Sequence, residues 1–286
     1  MADPSDPSAE GGTLRYRHRL PTRLWHWLNA ATVVILLMSG LMIFNAHPRL
    51  YWGQYGANAD PAWLAIGSTP AGGGRLRVGS VELPTTGVLG RWRDPDGNVQ
   101  TRAFPWWATL PQHYSLAGAR RWHLSFAWLF FLGGLAYFVV SLANRHFARD
   151  LAPTRHELRP SHIWRDVKDH ARLRFHVGEE AARYNILQKL SYGGVIFVLI
   201  PGAVLTGCGM SPAFDAAFPW IVDLLGGRQS ARSLHFLCAV GLALFIVVHL
   251  VMVVLAGPLN ELRSMLTGWS RLPREARETI REGETA

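Results

Sequence analysis

Four long apolar blocks, separated by polar and charged stretches, dominate the hydrophobic pattern of this chain of 286 residues. Each block is long enough to cross the roughly 30 Å hydrocarbon layer of a bilayer as an α-helix. The blocks cover residues 24–44, 122–143, 186–206 and 234–256. The third is the least apolar, because Gln188, Lys189 and Ser191 lie near its start. The pattern predicts an all-α integral membrane protein built on a four-transmembrane-helix bundle.

The blocks and the stretches between them predict nine segments that alternate between membrane and water. In chain order, they are an inner arm (1–22), the first span (23–44), a long outer loop (45–120), the second span (121–143), an inner loop (144–183), the third span (184–207), a second outer loop (208–230), the fourth span (231–256) and an inner tail (257–286). Alternating residues at 76–78, 81–83 and 91–99, around the turn Asp94-Pro-Asp-Gly97, predict a small β-hairpin in the long loop.

The positive charge of the chain follows this membrane pattern and predicts no nucleic-acid partner. The net charge is +9, and the basic residues flank the apolar blocks. Nineteen of the 29 Lys and Arg residues lie on the side of the N-terminus, with Lys189 counted there, and ten lie on the other side. The positive-inside rule therefore predicts that both termini are cytoplasmic. The opening MADPSDPSAEGG has no apolar core, so no cleavable signal peptide is expected.

Two sets of residues that often bind metals are given structural roles instead. Cys208 and Cys238 are the only cysteines, too few for an iron–sulfur cluster, and the chain has no Cys-x-x-Cys-His sequence for covalent haem. We expect them to fill small apolar spaces, with a disulfide as the alternative. The inner loop contains five irregularly spaced histidines, which favours a solvated loop near lipid head groups over a metal site. They are His146, His156, His162, His170 and His176.

Histidines inside or beside the apolar blocks are the candidates for chemistry. His235 and His249 lie fourteen residues apart in the fourth span. In an α-helix that spacing gives a rise of about 21 Å and brings the second ring to within about 40° of the first. The two imidazoles therefore share one helix face but lie near opposite edges of the hydrocarbon layer. Ionisable side chains at such depths are costly and normally have a functional partner.

Two further histidines match these two depths. His26 lies at the inner start of the first span, and His123 lies at the outer start of the second span. Depth therefore pairs His26 with His249 (the inner pair) and His123 with His235 (the outer pair). Two imidazoles suit the two axial positions of a haem iron, so the four residues predict two b-type haems, one per leaflet. The alternative for each histidine by itself is a hydrogen-bonded polar residue inside the bundle.

Glycines at matching positions support the same arrangement. Gly40 follows His26 by fourteen residues, and Gly134 follows His123 by eleven. Each falls within about 40° of the face of its histidine, at the depth of the other haem. A glycine leaves room for a macrocycle beside the helix. The alternative is that these glycines serve close helix packing.

At this point the chain resembles the bacterial di-haem cytochrome b superfamily. That superfamily includes formate dehydrogenase gamma subunits, nickel–iron hydrogenase cytochrome b and bacterial cytochrome b-561 proteins. The resemblance rests on Arg23-Leu-Trp-His-Trp27, on His123 in Arg121-Trp-His-Leu124 and on the His-x13-His of the fourth span. It covers all four spans and implies a protein of the bacterial inner membrane, whose outer loops are periplasmic.

The start of the third span adds a more specific match. Arg183-Tyr-Asn-Ile-Leu-Gln-Lys189 is similar to the Tyr-Asn-x-x-Gln-Lys motif of formate dehydrogenase gamma subunits. In that family the motif borders a quinone site beside the inner haem, which implies quinone binding by Asn185 and Gln188. Amide side chains can donate the hydrogen bond that a quinone carbonyl needs. Their alternative roles are helix capping by Asn185 and interfacial solvation of Gln188.

Two other segments look like the thiosulfate-reductase-type subgroup of cytochrome b. They are Phe44-Asn-Ala-His-Pro48, running to Leu50-Tyr-Trp-Gly53, and Ala256-Gly-Pro-Leu-Asn-Glu-Leu-Arg263. The subgroup implies a separate periplasmic molybdopterin oxidoreductase as the partner. The long outer loop departs from the short loops of cytochrome b-561 proteins, which supports a docking role for it. Its tryptophans fit a docking surface or membrane-interface anchors equally well.

Three functions follow from these features. The first is an electron-transfer subunit that connects a periplasmic redox partner at the outer haem with quinone at the inner haem. The second is a stand-alone oxidoreductase in which a small oxidant or reductant such as superoxide reacts at the outer haem edge and quinone takes or gives the electron. The third is a non-redox membrane anchor. The sequence favours the first.

Overall fold

The computed structural model describes residues 14–171 and 186–271. These residues form a mostly helical protein with four helices long and apolar enough to cross a membrane. Those helices are Leu20–Phe44, Leu116–Ala143, Ile186–Met210 and Arg228–Leu255. The two residues that precede Ile186 in the predicted third span lie outside the described residues. The chain is a multi-pass membrane protein, as the apolar blocks predict.

The full order of helices and strands adds short elements to these four. It runs β1 (Leu14–Tyr16), α1 (Leu20–Phe44), β2 (Arg49–Leu50), β3 (Leu64–Ser68), β4 (Gly74–Val78), β5 (Val81–Pro84), β6 (Trp92–Arg93), β7 (Val99–Gln100), a 3-10 turn (Trp106–Ala108), α2 (Leu116–Ala143), a π-helical turn (Phe147–Leu151), α3 (Pro160–Ala171), α4 (Ile186–Gly194), a second π-helical turn (Val195–Leu199), α5 (Ile200–Met210), α6 (Pro212–Ala217), α7 (Trp220–Leu224), α8 (Arg228–Leu255), α9 (Pro258–Thr267) and β8 (Trp269–Arg271).

The chain divides into two compact units. The terminal unit comprises the chain up to Leu28, Val140–Val195 and the chain from Phe245 onward. The central unit comprises Asn29–Val139 and Ile196–Leu244.

In the central unit, the long outer loop is folded around a β-sheet. Strands β2 to β5 pair in chain order and are all antiparallel. Their apolar side chains pack with the end of α1 in a core of Phe44, Leu50, Leu64, Ile66 and Ala103. The predicted all-α class is therefore wrong for this loop, and the chain is mostly helical rather than all-α. The sequence pattern did not predict β2 or β3, which are extended strands through pairing in the sheet, β2 with β3 and β3 with β4.

The predicted hairpin region contains two hairpins. Strands β4 and β5 pair across a tight turn, with Val78 opposite Val81. Strands β6 and β7 pair Trp92 with Gln100. The intervening turn is closed by a hydrogen bond from the Gly97 amide to the carbonyl of Asp94.

In the terminal unit, the inner tail begins with helix α9 and is joined to the N-terminal arm. Helix α9 ends at Gly268, whose φ of +90° suits glycine. A Cβ there would lie 2.7 Å from the Tyr16 ring and 2.9 Å from the carbonyl of His18. Strands β1 and β8 then pair antiparallel from Leu14 opposite Arg271 to Tyr16 opposite Trp269.

The third spanning helix is irregular, and its sequence explains why. The turn Val195–Leu199 is π-helical, and α5 follows with Pro201 among its first residues. Proline has no N–H to donate to the carbonyl four residues earlier, so the regular hydrogen-bond ladder cannot pass through this point.

Candidate functional site

The outer pair, His123 on α2 and His235 on α8, lies within the central unit. The two ring centroids are 6.1 Å apart, and the ring planes are inclined by 68°. His123 is positioned by α1, because its Nδ1 lies 3.1 Å from the carbonyl oxygen of Leu36 and 3.1 Å from Oγ of Ser39. A carbonyl can only accept, so Nδ1 carries the proton and Nε2 keeps its lone pair.

His235 is held in the same way by α5. Its Nδ1 lies 3.0 Å from the carbonyl oxygen of Ala203 and 3.1 Å from Oγ1 of Thr206. The same argument assigns the proton to Nδ1 and leaves the Nε2 lone pair available. Both rings of the outer pair are thus fixed in the tautomer that can bind a metal through Nε2.

A glycine adjoins each ring of the outer pair. A Cβ at Gly40 would lie 3.4 Å from Cε1 of His123, and a Cβ at Gly207 would lie 3.5 Å from Cε1 of His235. Gly40, predicted from the sequence to leave space for a macrocycle, is therefore in contact with an imidazole. A larger side chain at either position would press on the ring.

The inner pair, His26 on α1 and His249 on α8, lies within the terminal unit. The ring centroids are 6.3 Å apart, with an angle of 60° between the planes. Aromatic rings flank both histidines: Trp27 meets His26 edge-on at 5.4 Å, and Phe245 stacks with His249 at 6.2 Å. Over residues 14–171 and 186–271, no hydrogen bond joins either imidazole to another group.

Both pairs fit a shared metal ion. Two imidazole nitrogens, each about 2 Å from one metal ion, hold their ring centroids about 6 Å apart. The two pairs have centroid distances of 6.1 and 6.3 Å. The chemistry of the donors also fits, because neutral imidazole is an axial ligand of haem iron. The structure thus brings together the two pairs that the sequence predicts.

The structure gives fewer contacts for the other predicted site residues, Gly134, Asn185 and Gln188. A Cβ at Gly134 would contact nothing within 4 Å in the described structure. Asn185 lies outside the described residues. Gln188 lies on α4, and Tyr192, one turn further along, contacts the Phe245 ring edge-on at 6.1 Å.

An ion pair adjoins this part of α4. Nζ of Lys189 lies 2.8 Å from Oε1 of Glu157 in the inner loop. Desolvation acts to raise the pKa of Glu157, but the hydrogen bonds from Lys189 and Thr154 prevail and lower it to about 2. The pair joins the inner loop to the start of the third spanning helix.

The outer loop is fastened to the first turns of α8. The carbonyl of Gly53 accepts hydrogen bonds from the amides of Gln229 and Ser230, which satisfies helix-end N–H groups. A Cβ at Gly227 would come within 2.5 Å of Gly53, so the close approach requires glycine. Arg232 donates to the carbonyls of His47 and Arg49.

Ser233 forms a further link, two residues before His235. Its hydroxyl donates to the carbonyl of Tyr51 at 2.6 Å and accepts from Nε1 of Trp63 at 3.0 Å. The Trp63 ring stacks with that of Trp52, with centroids 5.7 Å apart, and Trp52 is 54% exposed. A short chain of contacts therefore connects an exposed tryptophan with the helix that carries His235.

Three site residues were missed by sequence reasoning: Ser39, Thr206 and Gly207. A usable signal was present, because the dipeptides Ser39-Gly40 and Thr206-Gly207 stand inside the apolar first and third spans. A hydroxyl in such a span usually donates a hydrogen bond to a backbone carbonyl of the preceding helical turn. The dipeptides alone therefore do not show that an imidazole lies beside them.

Comparison with known proteins defines the class. A family model described as prokaryotic cytochrome b561 matches residues 17–268. The chain belongs to the prokaryotic cytochrome b561 family. The resemblance to the bacterial cytochrome b superfamily is thereby confirmed, and membership implies b-type haem.

Relatives of the chain carry names of redox subunits. The chain is 26% identical over 233 residues to a protein of Azospira oryzae named as a protein-methionine-sulfoxide reductase subunit, YedZ1. The alignment covers 82% of this chain and 87% of the relative. It is 22% identical over 236 residues to a protein of Cupriavidus necator named as a Ni/Fe-hydrogenase B-type cytochrome subunit. That alignment covers 82% of this chain and 76% of the relative. No solved structure matches the chain.

Proposed function

We propose that this chain is a di-haem cytochrome b subunit of the bacterial inner membrane, which transfers electrons between the quinone pool and a periplasmic oxidoreductase. The observation that carries the proposal is the presence of two histidine pairs, each at the spacing of axial ligands to one iron. His26 and His249 would hold the inner haem, and His123 and His235 the outer one. Haems with two axial histidines have no open coordination position and pass single electrons.

The inner end of the path is assigned to quinone. Gln188, together with Asn185, would donate hydrogen bonds to the quinone carbonyls. Tyr192 and Phe245 support this assignment, because they form an aromatic contact from the Gln188 turn of α4 to the His249 ring. Reduction of one quinone to quinol takes two electrons and two protons, so the path would operate twice for each quinone.

The outer end of the path is assigned to a separate periplasmic redox protein. We propose that this partner contains a molybdenum cofactor. The relatives named above as reductase and hydrogenase subunits support a redox partner. The folded outer loop supports docking, because Trp52 is exposed and its contacts lead through Trp63 and Ser233 to the helix of His235. Tryptophan is among the residues that dominate protein interfaces.

Haem quantification in ligand variants tests the proposal. We expect two haems per purified chain in the pyridine haemochrome assay and one in His249→Ala. A matched control is His113→Ala, because His113 is an exposed histidine of the outer loop outside both pairs. Two haems in His249→Ala, or fewer than two in the unaltered chain, would overturn the assignment.

A stand-alone oxidoreductase that exchanges electrons between quinone and superoxide or a small oxidant is the second candidate. It is favoured by the charge of the outer loop, which has seven arginines and four acidic residues between 45 and 120 and would attract an anion such as superoxide. Reduction of quinone by superoxide with the purified chain alone would support it. A requirement for a second protein would support the subunit function instead.

A further inference from the structure

The two imidazoles of the outer pair are held by the same three-part arrangement, which occurs twice in the central unit. A helix supplies a backbone carbonyl, a hydroxyl three residues later and a glycine immediately after the hydroxyl. On α1 these are Leu36, Ser39 and Gly40, and they surround His123. On α5 they are Ala203, Thr206 and Gly207, and they surround His235.

In each arrangement the hydroxyl is set to accept from the imidazole. Oγ of Ser39 lies 2.6 Å from the carbonyl of Ile35, to which it donates its only hydrogen. Oγ1 of Thr206 lies 2.6 Å from the carbonyl of Gly202 and donates in the same way. With its hydrogen committed, each hydroxyl offers a lone pair to Nδ1–H. Each N–H of the outer pair therefore faces two acceptors, a carbonyl and a hydroxyl.

The glycine completes the arrangement by allowing the ring to approach. At 3.4 Å and 3.5 Å from Cε1, a methyl group at Gly40 or Gly207 would touch the imidazole. Any longer side chain would displace the ring from the two acceptors.

We propose that Ser39 and Thr206 are positioning residues of the outer haem, and that their hydrogen bonds lower its reduction potential. The inference rests on the proposed function, since it requires haem between His123 and His235. Acceptors on Nδ1–H fix the tautomer and raise the basicity of the ligating Nε2. A more basic ligand stabilises ferric over ferrous iron, so the potential falls. The inner pair has no such hydrogen bonds in the described chain, so the effect is confined to one of the two haems.

A redox titration of the purified holoprotein tests the inference. We compare Thr206→Val, which keeps the side-chain shape but removes the acceptor, with Thr206→Ser, which keeps the hydroxyl. We expect Thr206→Val to raise the midpoint potential of one of the two haem transitions and to leave the other unchanged. We expect Thr206→Ser to retain the unaltered pattern. Ser39→Ala should shift the same transition as Thr206→Val, and Ser39→Ala/Thr206→Val should shift it further.

The control and the contrary outcomes separate this inference from the proposed function. Ser141→Ala removes a buried serine of α2 that has no hydrogen bond to the four histidines, and it should change neither transition. Loss of the outer haem in Thr206→Val but not in Thr206→Ser would also support positioning by the hydroxyl. Two bound haems with unshifted potentials, equal shifts of both transitions, or the same change in both Thr206 variants would overturn the inference alone. Absence of the outer haem from the unaltered chain would overturn the proposed function.

Discussion

The outer and inner histidine pairs have nearly the same spacing but different surroundings. Centroid distances of 6.1 and 6.3 Å give both pairs the separation of ligands to one iron. The outer rings are oriented by hydrogen bonds to carbonyls and hydroxyls of neighbouring helices. The inner rings are flanked by Trp27 and Phe245. Histidine is therefore oriented by directional polar contacts in one pair and flanked by aromatic rings in the other.

The contacts that attach a loop to a helix also differ between the two units. In the central unit, neutral hydrogen bonds join the outer loop to α8: the Gly53 amide donates to Oγ of Ser230, and the Ser233 hydroxyl donates to the carbonyl of Tyr51. In the terminal unit, the Glu157–Lys189 ion pair joins the inner loop to α4. A neutral hydrogen bond is insensitive to pH, whereas an ion pair is lost when its carboxylate is protonated. Acid should thus weaken one anchor and spare the other.

The largest expected effect is the loss of the outer haem when the glycine beside His123 is enlarged. In Gly40→Leu the new side chain would press on the imidazole, since Cβ alone would reach 3.4 Å from Cε1. We expect about half of the bound haem to be lost, measured per chain by pyridine haemochrome. Gly193→Leu is the control, because a Cβ there meets nothing within 4 Å in the described structure. Full haem content in Gly40→Leu would show that the ring tolerates displacement.

Gly134→Leu sharpens the comparison at the inner site. No described atom lies within 4 Å of a Cβ at this position. If Gly134 serves only close packing against other protein groups, the larger side chain should therefore leave both haems bound. If Gly134 clears space for the inner haem, as helix periodicity predicts, the variant should lose that haem and keep the outer one. Absorbance spectra and haem content distinguish the two results. An unchanged spectrum would disprove the clearance role.

Ser233→Ala should destabilise the central unit moderately. The substitution removes the hydrogen bond to the buried Tyr51 carbonyl and the partner of the Trp63 indole. Leaving such groups unsatisfied costs about 1–3 kcal/mol. Thermal unfolding followed by circular dichroism should show a lower Tm, equally at pH 7 and pH 4. A pH-dependent loss would contradict the neutral character of this anchor.

The smallest expected effect is the acid sensitivity of the inner anchor. The pKa of the Glu157 carboxyl is lowered from 4.5 in the unfolded chain to about 2 in the folded chain. The ion pair therefore stabilises the fold fully above pH 4.5, and this contribution is lost as the pH falls from 4.5 to about 2. A partly exposed ion pair contributes at most about 1 kcal/mol. Unfolding of the unaltered chain and of Glu157→Gln should therefore differ at pH 6 and converge towards pH 2. A constant difference would show that Glu157 acts through packing alone.

Much of the architecture was predictable because burial in lipid imposes long uninterrupted apolar stretches. The four spanning helices follow from that constraint, and so does the pairing of His26 with His249 and of His123 with His235. Helix periodicity places His235 and His249 on one face of their span, and the positions of His26 and His123 at the starts of their spans pair them with these two residues. Gly40 was also identified by periodicity, although its contact with the His123 imidazole was not.

The outer loop shows where such reasoning stops. Its two hairpins lie where alternating residues predicted one, but β2 and β3 are held in the sheet by pairing that the pattern did not predict, β2 with β3 and β3 with β4. The attachment of Gly53 to Ser230 joins residues 177 positions apart in the chain, a contact that no local pattern encodes.

The sequence by itself determined the membrane helices, the four histidines and their pairing, because hydrophobic length and helix geometry act within each segment. Only the tertiary structure decided how the outer imidazoles are oriented, since Ser39 and Thr206 gain their role from an imidazole on another helix. It also decided that the long loop folds into a sheet and attaches to the helix of His235. Hydrogen bonds between distant segments depend on the distance and direction of their partners in space, and both are set when the whole chain packs.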